Sequence, residues 1–517
     1  MQPYALTIDK FLDHAAKWWP DREVVTAGAG RIGYAALRTR SNRLSGAFQA
    51  LGLHRGDRVG TLAWNTQNHL EVYYGTMGAG FVCHTLNPRL TIPHLAAMVN
   101  EAEDRALMVG IGLADLAREL VRRCASIQTV VLMDEAPHEA IADRTTFTFE
   151  SLLAEHGAQT QWGGFDENTP AGLCYTSGTT GSPKGVLYTH RSNYLHTLRA
   201  LQADSVALTP ADSALVAVPL FHVNGWGFSF AGPAVGAKLV LPGRYTDGAR
   251  MAKLIRDEGV TVAAGVQTVW LGLLDHLDAA GGDVPSLARV IIGGSRCPDA
   301  LIERMEERLH ARVQTSWGMT ELSPLGTIAP AQGPERVVAS GRPPMGLDLK
   351  LTDAEGKTLP QQRNIAGHLK AKGASVVQRY FKAERDAVDA EGYFDTGDLA
   401  CIDDDGNLTI TGRSKDLIKS GGEWINPGEI ESIVGKLPGV GQVAVIGKAD
   451  SKWGERPILI VEPQKSHMLD DEMLLDALRG SVADWWIPDE VIHVSHMPLA
   501  ATGKIDKNRL RAEYAKA

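Results

Sequence analysis

Residues 171–190 read AGLCYTSGTTGSPKGVLYTH, an apolar run, a string of glycine, serine and threonine that ends on Lys184 and Gly185, and a second apolar run. Glycines let backbone amides approach an anion, hydroxyls add donors and Lys184 adds a positive charge, so the middle of the stretch suits a polyphosphate. The flanking runs read as strands. This is not the GxxxxGK[ST] loop of P-loop NTPases, because Lys184 follows a proline and precedes a glycine rather than a hydroxyl residue. By composition alone it would pass for an ordinary surface loop; the order of its residues narrows the reading.

On either side of the loop, short apolar runs (106–110, 129–133, 214–220, 238–242 and 289–294) alternate with helical segments such as 34–51. That rhythm predicts an α/β fold, with a large multilayered N-terminal domain built on mainly parallel sheets. Residues 399–422, LACIDDDGNLTITGRSKDLIKSGG, change the pattern to a hairpin turning at Asp405-Gly406, followed by a charged connector. The boundary is placed there, giving domains 1–412 and 413–517, the second a small, mobile α+β unit of ordinary domain size. Asn426 caps its first helix, Pro427 takes the first helical position, and Glu429 can reach back to the cap.

The chain has 517 residues, 44% of them hydrophobic, enough for more than one core. Its formal charge of −9, from 52 basic and 61 acidic residues, and its lack of a long Lys/Arg run argue against nucleic acid as a partner. Cys83, Cys124, Cys174, Cys297 and Cys401 are scattered and form no CxxC pair, which fits reduced thiols in a cytoplasmic enzyme. The N-terminus lacks the apolar core of a secretory signal. Residues 214–237 carry no formal charge over a membrane-spanning length, yet Pro219, His222, Asn224 and Pro233 favour a buried strand and loop over a transmembrane segment.

Seven stretches in order are YTSGTTGSPKG (175–185), PLFHVNGWG (219–227), GGSRCP (293–298), SWGMTE (316–321), YFDTGDLA (393–400), GRSKDLIKSGGEWINPGEIE (412–431) and ATGKIDKNRL (501–510). Over nearly its whole length the chain thereby resembles the adenylate-forming superfamily of acyl-CoA synthetases, luciferases and nonribosomal peptide adenylation domains. Residues 84–90, HTLNPRL, and FHVNGWG look like the fatty-acyl and methylmercaptopropionate CoA ligases.

The resemblance implies ATP, Mg²⁺ and CoA, and a role for each matching residue. Thr176, Ser177, Gly178, Thr179, Thr180 and Lys184 would hold the β- and γ-phosphates. Thr320 would touch the α-phosphate, and Glu321, which alone would read as a surface glutamate, would bind the metal. Trp317, where tyrosine is common, would stack on adenine within Ser316-Trp317-Gly318, facing Gly293, Gly294 and Ser295. Asp398 would take the ribose hydroxyls, with Arg413 as a further donor. Lys504 would bridge the acid and the α-phosphate during adenylation. Lys415 would be the hinge, and Ser420, Gly421, Gly422, Glu423 and Trp424 would line the pantetheine channel. Leu499 stands where the family usually carries arginine, which removes an ancillary contact.

For the acid, the family pattern points to His222, Val223, Asn224, Trp226, Gly265, Val266, Gln267, Ser295, Arg296 and Met319. Trp226 resembles a gate of long-chain members and reads equally as packed core. Gln267 replaces a proline and Arg296 an alanine of the fatty-acyl pattern. An unpaired guanidinium facing an aliphatic chain is costly, so Arg296 either turns to a carboxylate partner or meets a polar or anionic group on the substrate. The expected acid is a medium- or long-chain fatty or aryl-alkanoic acid; the alternatives are a CoA ligase for a short or aromatic acid with a polar or anionic distal group, or a stand-alone adenylating enzyme that passes nothing to CoA. His222, where amino-acid adenylation domains place aspartate, argues against that rival, and intact phosphate-loop and Lys504 motifs argue against a catalytically dead nucleotide binder. Dimers are common in the resembling group, which makes a homodimer the assembly to test.

Overall fold

The computed structural model describes residues 1–133, 140–176, 183–333, 339–421, 423–464, 467–500 and 504–515. The apolar runs form two large sheets. One has seven strands in the order Thr145–Thr148, Thr129–Leu132, Ala106–Val109, Arg58–Leu62, Val82–Leu86, Pro170–Tyr175 and Gly185–Thr189, every pair parallel except the last. The other has eight, from Leu325–Ile328 through Arg312–Gly318, Arg289–Gly293, Val262–Val266, Ser213–Val216, Lys238–Leu241 and Glu23–Thr26 to Gly30–Gly33, parallel except for the pair at each end.

Strands buried on both faces need apolar residues throughout, which is why these runs do not alternate with polar positions. Between the sheets lie the helices Asp9–Trp18, Tyr34–Ala50, Gln67–Met77 and Phe228–Val235, and their buried side chains share one core with both inner faces. Helices Gly248–Glu258, Gln267–Ala280 and Asp299–Leu309 cover the outer face of the eight-stranded sheet, and Ile92–Ala102 and Ala114–Val121 that of the other.

Residues 214–237 are the strand Ser213–Val216, a buried turn, and the helix Phe228–Val235 with Pro233 inside it. The second half is thus helical where a loop was expected; a helix of eight residues accommodates the proline because few intrahelical bonds are lost. Among the described residues no helix is long and apolar enough to cross a membrane.

A four-stranded antiparallel sheet follows, Leu347–Thr352, Ala366–Gly373, Phe394–Ile402 and Leu408–Arg413. Its last two strands are the expected hairpin, with Gly406 at φ 86° in the turn. After Arg413 the chain makes the single turn Ser414–Asp416 and enters a separate five-stranded sheet at Ile418. There Asn426 caps the helix Pro427–Val434 by accepting from the Gly428 amide at 3.1 Å. Glu429 reaches back to the Asn426 side-chain amide, also at 3.1 Å, rather than to the backbone.

Asn65 fastens the segment that leads into the site. Its amide donates to the carbonyls of Val216 (2.8 Å) and Val218 (2.7 Å), and its oxygen accepts from the Leu220 amide at 2.8 Å, all buried. Tyr73 adds a phenol hydrogen bond to the Leu220 carbonyl. Asn65→Leu, similar in size, strands three backbone groups and should cost on the order of 3 kcal/mol. A denaturation midpoint equal to wild type would show that water or repacking answers them.

Candidate active site

The phosphate-loop reading is visible at its neck. Tyr175 and Gly185 pair across the antiparallel strands, and the Thr176 amide donates to the Lys184 carbonyl at 3.0 Å. Ser177, Gly178, Thr179 and Thr180 lie outside the described residues, as does Gly422. Lys184 leaves the neck exposed, and its ammonium sits 5.0 Å from the centre of the Tyr380 ring.

That tyrosine is the residue sequence reasoning missed. Its phenol donates to Glu321 Oε1 at 2.8 Å, so one side chain faces both the loop lysine and the expected metal ligand. The neighbouring backbone is fixed as well: the Val377 amide donates to the Glu321 carbonyl and the Phe381 amide to the Gly185 carbonyl, each at 2.8 Å. Burial pushes the Glu321 carboxyl up, against the pull of Tyr380, Arg413 and Lys184. Its Oε2 takes no hydrogen bond among the described residues, which also contain no cluster of three or more His, Cys, Asp or Glu side chains. One hard carboxylate oxygen left open beside a polyphosphate loop fits a magnesium ion that draws its other ligands from phosphate and water. Thr320 is held by its carbonyl, which accepts from the Tyr188 phenol at 2.8 Å.

The second focus is Asp398, on the strand Phe394–Ile402. Arg413 is its register partner on the next strand, with Nε 2.6 Å from Asp398 Oδ1, and the Trp317 indole N–H donates to Oδ2 at 2.8 Å. Burial raises the Asp398 carboxyl, while Arg413, Trp317 and Lys504 draw it down. Lys504 enters from the C-terminal segment. The residue keeps exposed surface overall, yet desolvation, helped by Arg413, lowers its ammonium to about 8 despite Asp398 and Glu321. Lys184, Glu321, Asp398, Arg413 and Lys504 are therefore linked electrostatically through Glu321 and Asp398.

The glycine edge is close-packed. A Cβ on Gly293 would stand 2.6 Å from Ser316 Oγ and 3.1 Å from the Trp226 indole, and one on Gly294 4.0 Å from that indole and 3.4 Å from Val266. Ser316 donates to the Ile292 carbonyl at 3.0 Å, and Gly318 abuts the Pro324 carbonyl. Trp226 thus packs against the glycines expected to face the base.

The backbone that carries it is unusual. From Val223 to Gly227, φ runs 42°, 57°, 60°, 55° and 82°, five consecutive left-handed residues of which only two are glycine. A left-handed conformation costs an L-residue roughly 1–2 kcal/mol, and a β-branched valine is a genuine outlier there. Burial, Asn65 upstream and the Ser229 hydroxyl donating to the Asn224 carbonyl at 3.0 Å hold the turn. Burial also lowers His222 to about 4, with Arg89 and Lys504 acting in the same direction, so it is a neutral imidazole at neutral pH.

Gly265 lies under Trp270, Gln267 opens the helix Gln267–Ala280, and Met319 packs between two apolar clusters. Ser295 and Arg296 are exposed, and Arg296 has no ion pair among the described residues. Lys415 is exposed in the turn Ser414–Asp416. The partners of Ser420, Gly421, Glu423 and Trp424, namely Trp453, Gly454, Arg456, Ser420 and Lys419, all belong to the C-terminal sheet or the turn before Gly454, apart from the groups assembled around Asp398.

Residues 12–381 match the family model described as AMP-binding enzyme, and residues 429–504 match the AMP-binding enzyme C-terminal domain. The medium-chain-fatty-acid–CoA ligase of Ectopseudomonas oleovorans is 40% identical over 98% of this chain and 96% of its own length. The 3-methylmercaptopropionyl-CoA ligase of Ruegeria lacuscaerulensis is 39% identical over 100% and 99%. Among solved structures, ATP-bound MatB from Rhodopseudomonas palustris superposes with a TM-score of 0.86 at 27% identity, covering 98% of this chain and 99% of that one.

Tyr380→Phe removes the donor that keeps the buried Glu321 carboxyl ionised, so that carboxyl rises further. A raised carboxyl disfavours the folded state where it must ionise, so the stability deficit should be small below pH 4.5 and grow as pH rises through the folded pKa. About 1–3 kcal/mol is expected at neutral pH. Denaturation midpoints at several pH values check this, and a deficit independent of pH would refute it.

Proposed function

The chain belongs to the AMP-binding enzyme family and is an AMP-forming acid–thiol ligase, and on that premise we propose that it activates a medium-length fatty or aryl-alkanoic acid through the residues gathered around Lys504. Its substrates are a carboxylic acid, ATP and CoA. The observation that carries the residue roles is the buried Asp398 carboxylate met by the Trp317 indole and Arg413, on which the Lys504 ammonium also acts.

A carboxylate is a poor acyl donor, since its charge repels nucleophiles and oxide is a poor leaving group. Attack of a carboxylate oxygen on the α-phosphorus, with pyrophosphate leaving, yields a mixed anhydride that a thiol can cleave, with AMP leaving. Two anions must first be brought together, which calls for fixed cations and donors rather than a protein nucleophile. In this reading Lys184 and the loop take the β- and γ-phosphates, Lys504 spans the acid and the α-phosphate, and Asp398 takes the ribose. Glu321 holds magnesium, which when bound neutralises charge on the phosphates. Lys504 then has to leave the space the thiol needs. Rotation about Lys415 removes it and brings the 420–424 turn inward, for which the confinement of that turn's present contacts to its own sheet is the support.

For the acid, Val223, Trp226, Val266 and Met319 offer apolar surface, and two relatives bear names for medium-chain fatty and methylmercaptopropionic acids. Arg296 is exposed, so an aliphatic chain need not bury its charge. Its lack of an ion pair among the described residues favours the second reading, an acid with a distal anionic group. The reading extends to a cytoplasmic homodimer, supported by the location of ATP and CoA pools and tested by localisation and light scattering.

Lys504→Ala should abolish acid-dependent pyrophosphate exchange while leaving CoA transfer from supplied acyl-adenylate; equal loss of both steps would sink the assignment. Because the ammonium is the active form and its pKa is lowered to about 8, kcat/KM for adenylation should fall above that pH. Lys504→Arg, whatever its residual rate, should move that limb upward.

An acid panel read by AMP release and mass detection of the thioester separates the substrate readings. Trp226→Ala should extend the accepted chain by several carbons if the indole limits it. Arg296→Ala should leave fatty acids unchanged and weaken only dicarboxylic ones. An unchanged profile in both variants would exclude these residues from acid selection.

A further inference from the structure

Trp317 lies on the strand Arg312–Gly318 and Asp398 on the strand Phe394–Ile402 of a different sheet, so their contact is made by tertiary packing. The indole is buried against Leu322, Leu347, Leu351, Leu369 and Ala400. One side of its six-membered ring rests on Gly326, where a Cβ would come within 2.3 Å of Cε3. Held that way, the ring presents its single polar atom, Nε1, to Asp398 Oδ2 at 2.8 Å.

Asp398 is itself only 1% exposed, and its other oxygen lies 2.6 Å from Arg413 Nε. The indole N–H is thus the one hydrogen bond to the carboxylate among the described residues, while Oδ1, buried and ion-paired with Arg413, accepts none. A free carboxylate turns about its Cβ–Cγ bond with a broad, roughly two-fold preference. Here the indole donor at Oδ2 sets that angle and leaves Oδ1 free to accept. A phenylalanine ring in the same slot carries no donor at all.

We infer that Trp317 is a positioning residue for sugar recognition, its indole N–H fixing the Asp398 carboxylate so that the open lone pairs meet both vicinal hydroxyls of the ATP ribose. This rests on the reading of Asp398 as the ribose ligand and adds to it a role distinct from stacking on the base. The expected signature is selectivity between ribonucleotide and deoxyribonucleotide, carried by KM for the nucleotide more than by kcat.

The experiment is acid-dependent pyrophosphate exchange with ATP, 2′-deoxy-ATP and 3′-deoxy-ATP, in wild type, Trp317→Phe, Asp398→Ala and the double variant. Trp317→Phe should raise KM for ATP roughly five- to twentyfold, the scale of a lost hydrogen bond to a charged group. KM for the deoxy nucleotides should change much less, narrowing the preference for ATP. In the double variant the preference should match that of Asp398→Ala alone, because the indole acts through the carboxylate.

Equal losses for ATP and both deoxy analogues in Trp317→Phe would overturn the inference and return the indole to base stacking or folding. If Asp398→Ala keeps the preference for ATP, the ribose reading itself fails. If Asp398→Ala loses it while Trp317→Phe retains it, only the inference about Trp317 fails. Should Trp317→Phe not fold, 3-benzothienylalanine at position 317 keeps the bicyclic shape and replaces the N–H with sulfur; it must show the same narrowing, and wild-type selectivity there would overturn the inference.

Discussion

A carboxylate buried where separate pieces of chain converge destabilises the fold unless charges and donors answer it, and at Asp398 they come from three directions. Arg413 reaches it from the neighbouring strand, Trp317 from another sheet, and the Lys504 ammonium contributes from near the C-terminus. Each of these groups also has a place of its own: Arg413 ends the last strand before the small sheet, Trp317 fills an apolar core, and Lys504 is the cation proposed to act in adenylation. Satisfying one buried charge thus fixes the relative placement of the four-stranded sheet, the eight-stranded sheet and the C-terminal segment. A hydrophobic isostere would spare the desolvation cost but remove the proposed ribose ligand.

The same logic extends through the hinge. Asp416, beside Lys415, pairs with Arg511 at 2.6 Å, and Lys507 pairs with Glu431 at 2.6 Å, so the helix Lys507–Tyr514 is tied both to the turn and to the helix Pro427–Val434. These pairs are less than a third exposed, and Glu431 also accepts from the Val445 amide, which makes them firmer than surface ion pairs. Lys504, just ahead of that helix, would then move with the hinge as one piece. The pair Lys436–Asp299, which joins the small unit to the body, is longer at 3.5 Å and more exposed, and therefore holds the two together less firmly.

Much of this architecture was legible in the residues, and the exceptions have physical causes. The parallel strands show as continuous apolar runs because both faces are covered, and the turn at Asp405-Gly406 and the cap at Asn426 announce themselves through residues with local backbone preferences. Tyr380 was not legible, since QRYFK has neither periodicity nor turn chemistry and acts only once folding brings it between Lys184 and Glu321. The indole contact to Asp398 was hidden for the same reason: it joins residues of separate sheets, and stacking on a base was the natural reading of an aromatic side chain in that motif. Proline at 233 suggested a break in a segment where a short helix forms.

The left-handed turn at 223–227 was the least accessible feature. Glycines at 225 and 227 favour that region, but nothing local favours it for Val223, Asn224 or Trp226. Surroundings that over-determine a strained backbone are characteristic of functional sites, and here they are identifiable. Asn65 secures the approach at Leu220, Ser229 bonds back to Asn224, and Gly227 leaves room for the His196 ring, which a Cβ would meet at 2.9 Å. The strain buys placement, setting the Trp226 indole against Gly293 and Gly294. Because Gly225 and Gly227 adopt this region without penalty, the strain falls on Val223, Asn224 and Trp226, and the helix Phe228–Val235 that starts directly after the turn confines it there.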